Sequence, residues 1–285
     1  MTSEVGWAPK TTWLEVERLR IRCLTAGASG PPVLLLHGGG IDLASFSYKY
    51  AIEPLAGSHR VFVPDWPGHG ESDKPDVEYT IEFFIGFLGS LMDALQLERA
   101  RLVGISLGGG VALGFALRSP QRVEKLVLVD SYGLGDEVPW GRLGYLLVHA
   151  PLIGRLTYAL LRRSRRMVRW SLYNVVRDRR VITDEMVEEA YRLVNQPGVG
   201  RAFSSFQKSE VGWNGLRTRF VDRLHEIKAP VLIVHGTDDG LVPVAWARRA
   251  HERIASSELR VLPDCGHIPP RERPEEFNRL IGRFV

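Results

Sequence analysis

Residues 101–117 read RLVGISLGGGVALGFAL. Arg101–Ile105 is a short apolar run, the pattern of a strand buried on both faces of a parallel sheet. Leu107–Leu117 is helical in pattern. Gly104-Ile105-Ser106-Leu107-Gly108 between them is G-x-S-x-G, so the motif stands at a strand-to-helix turn, the context in which it carries chemistry. Glycines flank the serine because the turn is too tight for side chains there. The turn lifts the Ser106 hydroxyl out of the sheet, toward the N-terminus of the following helix. The dipole and free amides at that end favour developing negative charge.

On either side the chain alternates strands and helices. Trp13–Val16 and Leu19–Thr25 alternate apolar and polar residues, as half-buried antiparallel strands do. Val33–Leu36, Arg60–Val63, Val123–Val129, Val231–Val234 and Leu259–Leu262 read as further strands. Helices are expected over Ile81–Leu95, Val244–Ile254 and Pro274–Phe284, the last opened by proline in its first turn. From about Gly135 to Arg223 only helix-like segments occur, one of them capped by Asp184. The expected architecture is therefore α/β: a mostly parallel eight-stranded sheet with helices on both faces. Residues 1–132 and 224–285 form the core, and a helical cap, residues 133–223, is inserted after the sixth strand.

Composition excludes other classes. Of 285 residues, 45% are hydrophobic and 25% charged, ordinary globular usage that rules out disordered, collagen-like and coiled-coil chains. Cys23 and Cys265 are too few for a disulfide framework and fit a reducing compartment. Residues 133–222 hold 15 Lys/Arg and 9 Asp/Glu, and the rest 22 and 24, so the basic excess sits in the middle. No nucleic-acid reader motif accompanies it. The arginines Arg162, Arg163, Arg165, Arg166 and Arg169 read as a solvated helix face. Met1 to Trp13 has no apolar signal core. The greasiest stretch, Leu143–Ile153, is shorter than the ~20 residues of a spanning helix and is broken by His149 and Pro151. The expectation is a soluble, cytoplasmic monomer or homodimer with no membrane or nucleic-acid partner.

A serine hydroxyl is a poor nucleophile without an adjacent base. His267, just past the last strand, is the best base. His59, His225 and His251 fall on expected exposed positions, and His149 lies in the insertion. The base needs an orienting acid. Asp238 and Asp239 follow the strand Val231–Val234, and Asp130 ends the strand Val123–Val129; each meets the requirement. In His37-Gly38-Gly39-Gly40, after the strand Val33–Leu36, a glycine loop frees amides to face an oxyanion. Gly39 and Leu107 are the expected donors, with Gly40 as substitute, and His37 holds the loop. No lysine follows at phosphate-loop spacing, and no Cys/His cluster has metal spacing, so neither cofactor nor metal is expected.

With these residues in place the sequence resembles the α/β-hydrolase fold family over nearly its whole length. The resemblance rests on His37-Gly38-Gly39-Gly40, Asp65-Trp66-Pro67-Gly68-His69-Gly70-Glu71-Ser72-Asp73, the turn around Ser106, Gly236 to Pro243, and Gly266-His267. The order Ser, Asp, His is the family's. The family places its acid three residues after the loop glycine and four before the proline, which implies Asp239. Ser106 excludes the dehalogenases and epoxide hydrolases that carry aspartate at this turn, and Leu107 stands where proline iminopeptidases have tryptophan. Carbon–carbon bond hydrolases of aromatic ring cleavage are nearer. They have an aromatic residue after the histidine and Pro-Gly after the oxyanion glycines; here Ile268-Pro269 and Ile41-Asp42 stand instead.

These departures lead to the expectation of a serine esterase that cleaves a carboxylic ester of short to medium acyl chain. Ser106 attacks, His267 transfers the proton, Asp239 orients His267, and the Gly39 and Leu107 amides hold the oxyanion. The alternatives are carbon–carbon hydrolysis of a ring-cleavage diketone, a ligand-binding protein on the same fold, and acyl transfer to an acceptor other than water. Tyr145, Trp170, Tyr173, Phe203, Phe206 and Trp213 are expected either to line the substrate pocket or to form the cap's own core.

Overall fold

The structure is a computed structural model that describes residues 9–138, 141–150 and 152–285. Eight strands form one sheet: β1 Lys10–Val16, β2 Leu19–Ala26, β3 Pro32–Leu36, β4 Arg60–Pro64, β5 Ala100–Ile105, β6 Val123–Val129, β7 Val231–Gly236 and β8 Ser257–Leu262. Their spatial order is β1-β2-β4-β3-β5-β6-β7-β8. The hairpin β1–β2 and the β2–β4 pair are antiparallel; every later pairing is parallel. This is the mostly parallel sheet that the sequence predicts.

The inner parallel strands β3, β5, β6 and β7 are largely buried on both faces, which explains why they read as apolar runs. Alternate residues serve opposite layers. Leu34, Leu36, Leu102, Leu126 and Ile233 belong to one core. Val33, Leu35, Val103, Val127 and Val234 belong to the other. All four residues Val33–Leu36 are fully buried, each contributing about 1.5–3 kcal/mol by leaving water. On the first face lie α1 Ile81–Ala94, whose N-cap Thr80 accepts from Phe83 N–H, and α2 Leu107–Arg118.

Between β6 and β7 the chain forms α3 Arg142–His149, α4 Ile153–Arg163, α5 Arg165–Leu172, α6 Asp184–Val194 and α7 Arg201–Glu210. A two-residue hairpin, Val211–Gly212 with Gly215–Leu216, also lies there, too short to show as an apolar run. The cap of α6 is Thr183, which accepts from Met186 N–H, rather than Asp184. The Thr183 backbone is extended at ψ 166°, the conformation an N-cap needs, and Asp184 sits in the first turn facing Arg169. Phe206 and Phe220 join the first core, and Leu161, Val168 and Met186 the second, so the inserted segment shares the hydrophobic layers of the sheet. The last elements are α8 Val244–Arg253 and α9 Pro274–Phe284.

Candidate active site

Ser106 sits at φ 52°, ψ −118° between β5 and α2. A non-glycine residue with positive φ is strained, and such strain collects at functional sites. The turn is held by Ser106 N–H to Val129 O at 3.0 Å, and by Gly110 N–H and Tyr132 N–H to Ser106 O, each 3.0 Å. A Cβ on Gly104 would lie 2.3 Å from Gly108 O, and one on Gly108 would lie 2.2 Å from Leu36 O. The motif glycines are therefore a steric requirement of bringing β5, α2 and β3 together.

The loops after β7 and β8 approach with the same closeness: a Cβ on Gly236 would meet Gly266 O at 2.2 Å. His267 Nδ1 lies 2.8 Å from Asp239 Oδ2. Asp239 Oδ1 accepts from Leu241 N–H at 2.8 Å and Val242 N–H at 3.0 Å. Burial pushes the Asp239 carboxyl up. The His267 imidazole and the two amides outweigh this and hold it below its ordinary value. An ionised Asp239 accepts Nδ1–H from His267, which leaves Nε2 as the basic nitrogen. Ser106, His267 and Gly39 line one cavity of about 1340 Å³.

The other candidate acids are placed apart from the histidine. Asp238 turns outward, accepting from Thr237 Oγ1 at 2.6 Å and pairing with Arg177 at 3.2 Å. Asp130 is fully buried beneath Asp239; its Oδ1 accepts from Gly236 N–H at 3.0 Å, and its Oδ2 has no partner among the described residues. Burial, and then the negative charge of Asp239, raise Asp130 well above the usual carboxylate range and so favour its neutral form. Asp130, His235 and Asp239 are the one trio of potential ligand side chains drawn together among the described residues, within 4.8 Å of one another. His235 Nε2 lies 2.9 Å from Val242 O and so carries a proton, while Asp239 is engaged by His267. The donor set reads as a hydrogen-bonded network and fits a metal poorly.

The glycine loop is fixed from two sides. His37 Nε2 accepts from Trp66 N–H at 3.0 Å, so the proton is on Nδ1, which donates to Gly38 O at 2.7 Å. Burial pushes the His37 imidazole down to about 3. Asp42 accepts from Gly38 N–H at 2.7 Å, Leu43 N–H at 2.7 Å and Ser47 Oγ. With Gly38 engaged, Gly39 and Leu107 keep amides that no hydrogen bond occupies among the described residues. Asp42, the departure from Pro-Gly, thus closes the loop by side chain, a role that residue type alone does not reveal. Asp65-Trp66 is scaffold: Trp66 Nε1 donates to His37 O at 2.9 Å, and Asp65 Oδ1 accepts from Ala44 N–H at 3.0 Å.

Glu272 is the residue that sequence reasoning missed. It is buried, its Oε1 accepts from Gly266 N–H at 2.9 Å, and its Oε2 accepts from Arg177 N–H at 2.8 Å and Asp178 N–H at 3.2 Å. His267 N–H itself donates to Val175 O at 2.7 Å. The histidine loop is therefore tied to the inserted segment. No local pattern signals this, because the partners lie far apart in the chain.

Several expectations need correction. His59, just before β4, is buried, with Nδ1 2.8 Å from Ser58 Oγ and Nε2 3.1 Å from Arg101 of β5. Trp170 and Trp213 are 61% and 46% exposed and do not line the cavity. Phe203 does, and a Cβ on Gly39 would meet its ring at 2.3 Å. Phe206 joins the core instead.

The chain belongs to the α/β-hydrolase fold family, whose model matches residues 31–274. It is 31% identical to a 2-hydroxy-6-oxo-2,4-heptadienoate hydrolase of Pseudomonas putida, over 90% of each chain. It is 30% identical to a 2-hydroxymuconate semialdehyde hydrolase of a Pseudomonas species, over 90% of this chain and 87% of that one. A solved structure of a meta-cleavage product hydrolase from Pseudomonas fluorescens is similar at TM-score 0.80, with 29% identity over 96% of both chains. These names overturn the expectation of ester cleavage. A 2-hydroxy-6-oxo dienoate carries an enol, a ketone and a carboxylate, and no ester bond. What stands is that the chain is a hydrolase, and the two motif departures at Ile268 and Asp42 outweigh neither the full-length similarity nor the names that go with it.

Proposed function

We propose that this chain hydrolyses a carbon–carbon bond in a 2-hydroxy-6-oxo-dienoate or a close relative of that class. The supporting observation is the similarity to hydrolases so named, along at least nine-tenths of this chain. In such a compound the bond between C5 and the C6 carbonyl is the one that water can split. A proton moved from the C2 hydroxyl to C5 first gives the 2,6-dioxo tautomer; when the C5–C6 bond then breaks, the electron pair left on C5 spreads through C3=C4 to the C2 oxygen. Water supplies hydroxyl to C6, giving a carboxylic acid, and hydrogen to the dienoate fragment.

In this reading Ser106 is the nucleophile toward C6, His267 Nε2 moves its proton, and Asp239 fixes the imidazole through the 2.8 Å bond to Nδ1. The Gly39 and Leu107 amides receive the negative oxygen on C6. Residues 133–223 act as the cap, since Leu147, Val148, Tyr158 and Phe203 share the cavity with Ser106. The cavity, about 1340 Å³, is roomier than the ~300–1,000 Å³ of ordinary small-molecule sites. That room suits a bulky substituent on C6.

The test is loss of the dienoate chromophore on mixing the enzyme with 2-hydroxy-6-oxo-2,4-dienoates that carry methyl or phenyl at C6. Bleaching by the native chain, faster for phenyl, is expected, with none by Ser106→Ala. A folded native chain that bleaches neither compound would overturn the carbon–carbon reading. Faster turnover of the methyl compound would overturn only the bulky-substituent part.

A further inference from the structure

The helices α3 and α4 turn leucines to solvent. Leu143, Leu146, Leu156 and Leu160 are 48–59% exposed, and Leu152, between the helices, is 61% exposed. Leu143 and Leu146 are spaced i, i+3, and Leu156 and Leu160 i, i+4, so each pair forms one stripe on its helix. Exposed leucines occur singly on any surface, but a contiguous set marks an interaction site.

Charge tells what the set would meet. No acidic residue occurs between Glu137 and Asp178, a stretch that holds eight arginines. Some of these are satisfied within the fold: Arg165 pairs with Glu188 and Arg169 with Asp184. Arg155, Arg163 and Arg166 are exposed, with no ion-pair partner among the described residues. Exposed leucines with arginines that lack ion-pair partners, on two short helices bent 72° from one another, have the composition of a segment that lies in a membrane interface. No single helix among the described residues is long and apolar enough to cross a bilayer. A second copy of the chain is a poor occupant, because a two-fold contact would press like-charged arginines together.

We propose that this leucine and arginine face docks on a bilayer surface that carries anionic headgroups. Leucine side chains enter the headgroup boundary, and Arg155, Arg163 and Arg166 pair with lipid phosphates. Leu152 and Arg155 also line the cavity that holds Ser106, so the docked face opens onto the site. An apolar compound dissolved in the bilayer then reaches the cavity without crossing bulk water. The proposal departs from the expectation of no membrane partner and is independent of the substrate proposed above.

The experiment is sedimentation of the full chain with vesicles of phosphatidylcholine containing roughly a third phosphatidylglycerol, beside vesicles of phosphatidylcholine alone. Binding to the anionic vesicles only is expected, falling as salt rises from about 0.1 M toward 1 M. Arg163→Ser with Arg166→Ser should weaken it about fivefold per arginine removed, since each is worth ~1 kcal/mol near an anionic surface. Leu156→Ser with Leu160→Ser should weaken it too. A control removing the same charge elsewhere, Arg248→Ser with Arg279→Ser, should bind as the native chain does. All three double variants change exposed positions, and unchanged thermal unfolding would confirm their folding. Failure of the native chain to bind, or equal loss in the control, would overturn the proposal. So would a native dimer that the leucine variant converts to monomer, which would make a second copy the occupant.

Discussion

Asp130 and Asp239 are two buried carboxyls within one network, and their surroundings push them in opposite directions. Asp239 meets an imidazole and two amides; Asp130 meets one amide and the charge of Asp239. Two roles follow. Asp239→Asn is expected to remove the charge that orients and stabilises His267, lowering kcat by about 10⁴-fold, as loss of a triad acid does. Asp130→Asn keeps an acceptor for Gly236 N–H and removes a carboxyl whose neutral form is already favoured, so turnover should change by less than about tenfold. Asp238→Asn should be near neutral, since Asp238 faces Arg177 at the surface. Dienoate bleaching by the three purified variants checks the ranking, and a dead Asp130→Asn would move the acid to β6. Ser106→Ala should lower turnover ~10⁴–10⁶-fold and abolish labelling by a fluorophosphonate, with labelling retained in the alanine variant counting against Ser106 as nucleophile.

At the scale of elements, the decisive contact is between the loop after β8 and the inserted segment. Glu272 accepts from three amides, one on the histidine loop and two on the insertion. Glu272→Ala leaves these amides buried and unpaired and frees Gly266-His267 to shift. Displacement of a reacting group by about 1 Å costs up to about 10²-fold in rate. We expect kcat to fall by about that much, with a smaller loss for Glu272→Gln, which keeps one acceptor oxygen. If both variants keep native kcat while melting earlier, Glu272 serves stability alone. Phe203 of α7 is the cap residue against the glycine loop. Phe203→Ala should therefore alter the preference among C6 substituents, measured as a ratio of kcat/KM values, whereas Trp170→Ala should leave that ratio unchanged.

For the whole molecule, pH stability follows from buried imidazoles. Burial, and for His69 also the neighbouring His37, push both side chains down to about 3. Unfolded histidine titrates near 6.5. Between about pH 3 and 6.5 the unfolded chain therefore binds protons that the folded chain refuses, and stability is lost as pH falls through that window. Each histidine contributes a slope of about 1.4 kcal/mol per pH unit. Asp42, which burial pushes up to about 6, acts with the opposite sign from its unfolded value upward. The difference between native chain and His69→Asn isolates one imidazole. Urea unfolding followed across about pH 4–6 should show the variant less steep by about 1.4 kcal/mol per unit. Equal slopes would mean that His69 is protonated in the fold.

The strand-to-helix turn and the buried parallel strands were legible in sequence, and so was the neighbourhood in which Asp239 meets His267. Each is imposed by local sterics and burial: the turn tolerates only glycine at Gly104 and Gly108, and a strand covered on both faces reads as an apolar run. Choosing Asp239 over Asp238 was nearly as local, since the Leu241 and Val242 amides two and three residues on turn its carboxylate inward. The bond that reaction is proposed to break was not legible in motifs, because the same serine, histidine and amides serve any carbonyl. Ile268 and Asp42 depart from the ring-cleavage pattern, yet Asp42 braces the glycine loop. Glu272, the buried Asp130 and Phe203 over Gly39 depended on tertiary structure. Their partners come from segments ~100 or more residues apart, so no window of sequence contains both halves of any of these contacts.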